Sequence, residues 1–258
     1  MKRLAIFTDI HGNLEALEAI LKDIKDKEID EVICLGDIID IGPNSKECVD
    51  LLLDNNVKSI LGNHEIYLLK GTDVDSSISE KEKNNYELVK KSLTNKEINY
   101  IKGCPLYYEI NIEYDKVELN HKIVLCHYLI ENEKDIYPFE KTHLKNDINL
   151  WKKYNNDKVD YIIGHLHNSF DENEVDGISA DFIQDDGTLT NISVVDSAGC
   201  TKDDNTSYMI LEIGKNLRFE KINVKYDRKK FLDKILKREF PDRGNILKYF
   251  YGVEIDNN

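Results

Sequence analysis

Thr8-Asp9-Ile10-His11-Gly12-Asn13-Leu14-Glu15-Ala16-Leu17 is the stretch from which the fold is read. The apolar run before it, Arg3 to Thr8, is too short for a helix. After it Asn13 precedes Leu14, Leu17, Ala19, Ile20, Leu21 and Ile24 at helical spacing. The order is strand, loop, helix. It returns with Glu31 to Leu35, the loop Gly36-Asp37 through Pro43-Asn44, and a helix holding Cys48, Val49, Leu51, Leu52 and Leu53. A third round runs Val57 to Leu61, Gly62-Asn63-His64-Glu65, and a short helix from about Ile66. Repeated βα units predict an α/β fold with a mainly parallel sheet, whose polar loops gather beyond the strands' carboxyl ends.

Farther on, Ser79 to Lys102 is polar and helix-like, and Leu106 to Ile112 and Val117 to Cys126 read as strands of a second, more antiparallel sheet. A helix is expected between Phe139 and Tyr154, a strand over Val159 to Ile163, and an acidic, glycine-punctuated segment over Asp171 to Asp186. Ile192 to Val195, Tyr208 to Ile213 and Leu217 to Val224 read as late strands, and Arg228 to Glu239 as a helix. No repeat or linker divides the chain, so residues 1–258 are expected to form one domain, with candidate cap or rim elements at 79–102 and 170–191.

The composition, 41% hydrophobic and 33% charged, is that of an ordinary globular protein. No stretch approaches the roughly 20 apolar residues that span a bilayer. The amino-terminal run reaches Asp9 before a secretory apolar region develops, so a cytoplasmic location is expected. Cys34, Cys48, Cys104, Cys126 and Cys200 are odd in number and contain no C-x-x-C pair, and they read as small buried hydrophobes. A net charge of −14 opposes extended contact with nucleic acid or an anionic membrane. A small phosphate substrate is compatible with it, because screening over about 8 Å leaves a cleft to its local charges. Oligomeric state is not legible.

Five signatures occur in order: Asp9-x-His11, Gly36-Asp37, Gly62-Asn63-His64-Glu65, His127 at a strand end, and Gly164-His165-x-His167. Taken singly they are weak, since an Asp or Asn after a strand commonly caps the next helix. Jointly they are not: 28 residues separate Asp9 from Asp37 and 26 separate Asp37 from Asn63, one βα unit each time. Such steps carry successive loops to one sheet edge. Five of the seven histidines fall within these signatures. Carboxylate, imidazole and amide oxygen suit divalent transition metals, and one carboxylate, naturally Asp37, can bridge two ions about 3.5–4 Å apart.

In this order the signatures resemble those of the calcineurin-like metallophosphoesterases. The first stretch and Gly36-Asp37-Ile38-Ile39-Asp40-Ile41-Gly42-Pro43 are similar to the bacterial small-phosphoesterase branch, as are the strands between Tyr208 and Tyr226. The resemblance implies a four-layer α/β/β/α sandwich of two mixed sheets flanked by helices. It implies one metal on Asp9, His11, Asp37 and His167 and a second on Asp37, Asn63, His127 and His165, manganese being the first candidate ahead of iron, zinc, cobalt or nickel. His121, which begins the same strand as His127, lies at its wrong end. His64 is expected to stabilise the transition state and protonate the leaving oxygen, with Glu65 orienting it and Asp40 bracing its loop. No other cofactor is implied.

Protein phosphatases of this superfamily carry arginines beside comparable motifs, where this chain has Ile41 and Leu61. Bidentate arginine best matches a terminal phosphate, so a phosphodiester or nucleotide-type small substrate is expected. The alternatives are a phosphomonoester or phosphoprotein phosphatase and, in another class, a non-catalytic metal-binding scaffold such as the retromer subunit of the superfamily. Tyr107 and Tyr108 read as sheet packing.

Overall fold

The computed structural model describes residues 1–114, 117–128, 159–167, 180–183, 189–214 and 217–254. The three opening βα units form as expected: β1 (Lys2–Phe7), α1 (Leu14–Lys25), β2 (Glu31–Cys34), α2 (Ser45–Asp54), β3 (Lys58–Ser59) and α3 (Asn63–Lys70). Helices α4 (Glu80–Ser92) and α5 (Asn95–Gly103) follow, then β4 (Tyr107–Tyr114), β5 (Val117–Cys126), β6 (Val159–Ile163), β7 (Ala180–Ile183) and β8 (Leu189–Val194). The chain ends with β9 (Asn205–Ile213), β10 (Leu217–Lys225), α6 (Arg228–Lys237) and α7 (Arg243–Tyr251). No described helix is long and apolar enough to cross a membrane.

Two five-stranded sheets result, in the orders β10-β9-β1-β2-β3 and β4-β5-β6-β8-β7. In the first, β1, β2 and β3 are parallel and β9 and β10 antiparallel. The second sheet is not the more antiparallel one expected: its centre, β5-β6-β8, is parallel, and only the edge strands β4 and β7 are reversed. Parallel neighbours need a long connection, as the chain length between Cys126 and Val159 allows. Strand alternation alone could not reveal this.

Side-chain alternation along β1 builds two layers of core at once. Leu4 and Ile6 face the second sheet and meet Ile33, Leu35, Ile123, Leu125 and Ile162. Ala5 and Phe7 face the other way and meet Leu17, Ile20 and Leu21 of α1, with Val49 and Leu52 of α2. Ile6 is fully buried, so Ile6→Ala is expected to cost about 2–5 kcal/mol. On the far face of the second sheet lie Val124, Cys126, Tyr161, Ile163 and Val194. The helix expected between Phe139 and Tyr154, and most of the 170–191 rim, lie outside the described residues.

Helix starts follow local chemistry. Asn13 Oδ1 accepts from Ala16 N–H at 3.1 Å, while its Nδ2 donates to Gly199 O at 2.8 Å and ties α1 to the segment after β8. Ser79 with Glu82 and Thr94 with Glu97 form capping boxes for α4 and α5. Helix α3 begins at Asn63, three residues before the expected start, because Glu65 at its third position accepts from Gly62 N–H at 2.9 Å. Helices α6 and α7 pack Phe231, Ile235, Ile246, Leu247 and Tyr251 against Ala16 and Ile41. The described residues that follow β1, β2, β5 and β6 lie together on one edge.

Candidate metal centre

Five residues of the signatures hold left-handed backbone conformations: Asp9 (φ 53°), His11 (φ 47°), Asp37 (φ 51°), His165 (φ 68°) and His167 (φ 48°). Each such non-glycine residue costs on the order of 1–3 kcal/mol and persists only where its surroundings enforce it. Here backbone bonds between loops enforce it. Asp9 N–H donates to Gly36 O at 3.0 Å, His11 N–H to Asp37 O at 2.9 Å, and Gly12 N–H to Ile38 O at 2.9 Å. His165 N–H donates to Asp9 Oδ2 at 3.0 Å, and Gly164 N–H to His127 O at 3.0 Å. The loops therefore lean on one another rather than on solvent.

Two glycines permit that closeness. A Cβ on Gly62 would fall on the Asp37 carboxylate, and one on Gly164 would fall on the Thr8 hydroxyl. Neither position tolerates a side chain without moving a putting-together of charged groups that the loops otherwise lock.

The side chains converge as the signatures suggest. Oxygens or ring nitrogens of Asp9, His11, Asp37 and His167 all lie within 4.8 Å of one another, and so do those of Asp37, His127 and His165. Asp37 belongs to both groups. In the first, His167 Nε2 is 2.9 Å from His11 Nε2 and 3.0 Å from Asp9 Oδ1. In the second, His127 Nε2 is 3.1 Å from Asp37 Oδ2 and 3.2 Å from Asn63 Oδ1. All seven residues expected from the sequence are thus brought together.

The donor set fits divalent cations on several counts. Asp9 Oδ1 is fully buried with no aligned hydrogen-bond donor, an arrangement that is costly unless a cation faces it. Nε2 of His11 and Nε2 of His167 lie 2.9 Å apart, close enough to share one ion. Nδ1 of His127 lies 2.7 Å from Leu35 O and Nδ1 of His11 3.3 Å from Ile39 O, contacts that place the N–H on Nδ1 and leave Nε2 as the donor atom.

Charge is strongly coupled across this cluster. Burial raises the Asp9 carboxyl, but His167, His127 and His11 outweigh it and hold the group well below the usual carboxylate range. Asp37 is held low against burial by His127 and His64. Burial disfavours a charged His127, yet Asp37 and Asp9 push it up to about 9. His165 goes the other way, to about 4, through burial and the neighbouring His127 charge.

His64 stands beside the cluster, its backbone N–H donating to Asp37 Oδ1 at 3.0 Å. The orienting contact expected from Glu65 is made by Asp40 instead: Asp40 Oδ2 lies 3.0 Å from His64 Nδ1, and Asp40 Oδ1 accepts from Asn85 Nδ2. The fully buried Glu65 carboxylate accepts N–H bonds from Asp37 (2.8 Å), Ile38 (2.9 Å), Ile39 (3.3 Å) and Gly62 (2.9 Å). At the start of α3 its side chain points back along the helix to the preceding loops, which takes it away from the His64 ring. It joins the second loop to the third and leaves His64 to Asp40.

From His64 a groove of about 630 Å³ opens between α4 and α7, lined by Ile41, Asn85, Tyr86, Asn245, Tyr249 and Phe250 among others. Ser79, Glu82, Asn85 and Tyr86 of the 79–102 segment line this groove. Helix α7 carries residues that the sequence reading missed: Tyr249 is 67% exposed, and the Phe250 ring lies 5.7 Å from that of His167. Their only signal was an aromatic-rich segment far from any motif.

The family model described as calcineurin-like phosphoesterase matches residues 2–195. A Methanocaldococcus jannaschii protein, MJ0912, is 31% identical over 255 residues, covering 93% of this chain and 94% of its own. A symmetrical bis(5'-nucleosyl)-tetraphosphatase of Actinobacillus pleuropneumoniae is 39% identical over 67 residues, a quarter (25%) of each chain. The crystal structure of a metallophosphoesterase from Sphaerobacter thermophilus superposes with a TM-score of 0.63 at 21% identity, covering 92% of this chain and 93% of that one.

Proposed function

This chain belongs to the calcineurin-like phosphoesterase family, and on that premise we propose that it hydrolyses a phosphodiester or nucleotide-type small substrate at a two-ion centre. That it is a hydrolase of phosphate esters follows from the family; the substrate and the ion count are our reading. The observation that carries it is Asp37, shared by two separate donor groups within bonding reach. One ion would be held by Asp9, His11, Asp37 and His167, the other by Asp37, Asn63, His127 and His165, with manganese the first candidate. Such ions supply positive charge to the phosphoryl oxygens and acidify a water for in-line attack.

The protein's own residues do the rest. Asp40 fixes the His64 ring through Nδ1 at 3.0 Å, which turns Nε2 toward the cluster, 3.9 Å from Asp37 Oδ2. There His64 donates a proton to the leaving oxygen. Glu65 holds the Asp37 and Gly62 loops at their separation, as its four backbone contacts support.

Ile41, buried and part of the groove wall, stands where the protein phosphatases carry arginine. An apolar wall there suits an esterified phosphate oxygen better than a terminal dianion. The partial likeness to the tetraphosphatases and the exposed aromatic face of α7 both support a substrate of nucleotide type.

The test is a side-by-side assay of bis(p-nitrophenyl) phosphate, p-nitrophenyl phosphate and a phosphopeptide after chelation and manganese add-back. The diester should turn over fastest, and only with metal. Faster phosphopeptide or monoester turnover would reverse the preference, and turnover of none of them with metal bound would favour a binding scaffold.

A further inference from the structure

Cys200 was read from the sequence as a small buried hydrophobe, yet in the structure it is only partly buried and stands against the first donor group. Its Sγ, a ring nitrogen of His11 and a ring nitrogen of His167 all lie within 4.8 Å of one another. We propose that the Cys200 thiolate is a further ligand to the metal position that Asp9, His11 and His167 surround, and that it makes this position prefer a thiophilic ion such as zinc or cobalt to manganese. The inference rests on the metal-centre reading above and corrects its choice of ion at one of the two positions.

Three observations carry it. First, the Cys200 backbone is fixed by the same bonds that fix Asp9, while its Sγ lies 4.0 Å from the Tyr251 hydroxyl. Cys200 N–H donates to Ser197 Oγ at 2.9 Å, Ser197 Oγ donates to Asp9 O at 2.9 Å, and Gly199 N–H donates to Asp9 O at 2.9 Å. A Cβ on Gly199 would fall on Ile10 O, so glycine is what lets Cys200 come this close to the Asp9 loop. Second, the position has a demand of its own: Asp9 Oδ1, fully buried and without an aligned donor, faces the same two histidines, at 3.6 Å from His11 Nε2 and 3.0 Å from His167 Nε2. Third, Cys200 is the one cysteine found in such a group among the described residues. Cys34, Cys48 and Cys126 are buried in the core, and Cys104 Sγ faces Tyr100 O at 3.4 Å.

The chemistry follows from ligand softness. Imidazole and carboxylate accept manganese, whereas a thiolate donor shifts preference toward zinc or cobalt. On binding, the thiol gives its proton to solvent and the sulfur lone pair forms the bond to the ion, with no change of oxidation state.

Cobalt(II) titration of the metal-depleted protein reads the bond directly. Wild-type protein should develop a near-ultraviolet thiolate-to-cobalt charge-transfer band, which Cys200→Ser should lack and Cys48→Ser should keep. Zinc affinity should fall at least about tenfold in Cys200→Ser, with a smaller change for manganese. Should that variant fail to fold, alkylation of the wild-type protein mapped by mass spectrometry replaces it: zinc should protect Cys200 and leave Cys104 labelling unchanged. Cobalt d–d bands without a charge-transfer band, or equal Cys200 labelling with and without zinc, would overturn the thiolate ligand alone. No cobalt binding at all would overturn the metal-centre reading with it.

Discussion

His64 Nδ1 lies 3.0 Å from Asp40 Oδ2, and the Tyr86 hydroxyl lies 2.6 Å from the same nitrogen. The ring is therefore gripped on its outer side by an acid and a phenol, and its inner side faces the Asp37 cluster. Burial disfavours the charged ring, but Asp37 and Asp40 outweigh it and lift its pKa to about 9. Histidine acts as a proton donor only while protonated, so this pair keeps the donor form populated through neutral pH.

Removing the acid should expose that dependence. Asp40→Asn takes away a charge that favours the imidazolium, so the His64 pKa falls and the alkaline limb of the rate profile moves to lower pH. Diesterase kcat should fall about tenfold or more at mildly alkaline pH, with KM little changed, and His64→Ala should cost about 10²–10⁴ at neutral pH, a loss that shrinks as the wild-type ring deprotonates above about 9. A pH–kcat series on the three proteins checks both statements; an Asp40→Asn profile superimposable on the wild type would contradict them.

Glu65 should matter to stability before it matters to chemistry. Glu65→Ala strands the N–H groups of Asp37, Ile38, Ile39 and Gly62 in a buried site. An unpaired buried donor costs about 1–3 kcal/mol, so a loss of about 3 kcal/mol or more is expected. Urea unfolding of the metal-free protein measures it, and a loss below about 1 kcal/mol would remove Glu65 from this role.

Metal binding should release protons. His127, held near 9 by Asp37 and Asp9, must give up its proton to become a ligand. Asp9 and Asp37, held low, and His165, at about 4, are already deprotonated at neutral pH and contribute none. Burial disfavours a charged His167, but Cys200 and Asp9 outweigh it and hold that ring above the usual imidazole range, so it must lose a proton as well. The sign is therefore fixed: affinity rises with pH through the neutral range. Calorimetric titrations in two buffers of different ionisation enthalpy count the protons, and zero release at neutral pH would contradict the assignment.

The α7 face should act on substrate recognition. Tyr249→Ala removes an exposed aromatic surface from the groove wall and is expected to raise KM for a nucleoside diester about tenfold, in line with the roughly 1–3 kcal/mol of base–aromatic stacking. Turnover of a small alkyl aryl diester should keep its kcat. Equal KM for both proteins on the nucleoside substrate would take Tyr249 out of recognition.

Much of this was legible because the site is built at strand exits. The apolar runs ending at Phe7, Cys34 and Ile163 locate β1, β2 and β6, and the spacing of Asp9, Asp37 and Asn63 puts their loops on one edge. Other parts depend on tertiary partners and leave little local trace. Strand β7 sits inside an acidic segment with no alternation to mark it, and α7 starts at Asp242 without a side-chain cap. The Asp40–His64 contact joins residues 24 positions apart, and spacing could not choose between Asp40 and the adjacent Glu65. Cys200 has no motif at all; the bonds from Ser197 and Gly199 to Asp9 bring it to the site.

The central claim is that Asp37 bridges two cations. Anomalous diffraction from crystals of the manganese- or zinc-loaded protein tests it most directly. Two peaks roughly 3.5–4 Å apart should flank the Asp37 carboxylate, one near His11 and His167 and the other near His127 and His165. A single peak, or peaks away from Asp37, would contradict the account.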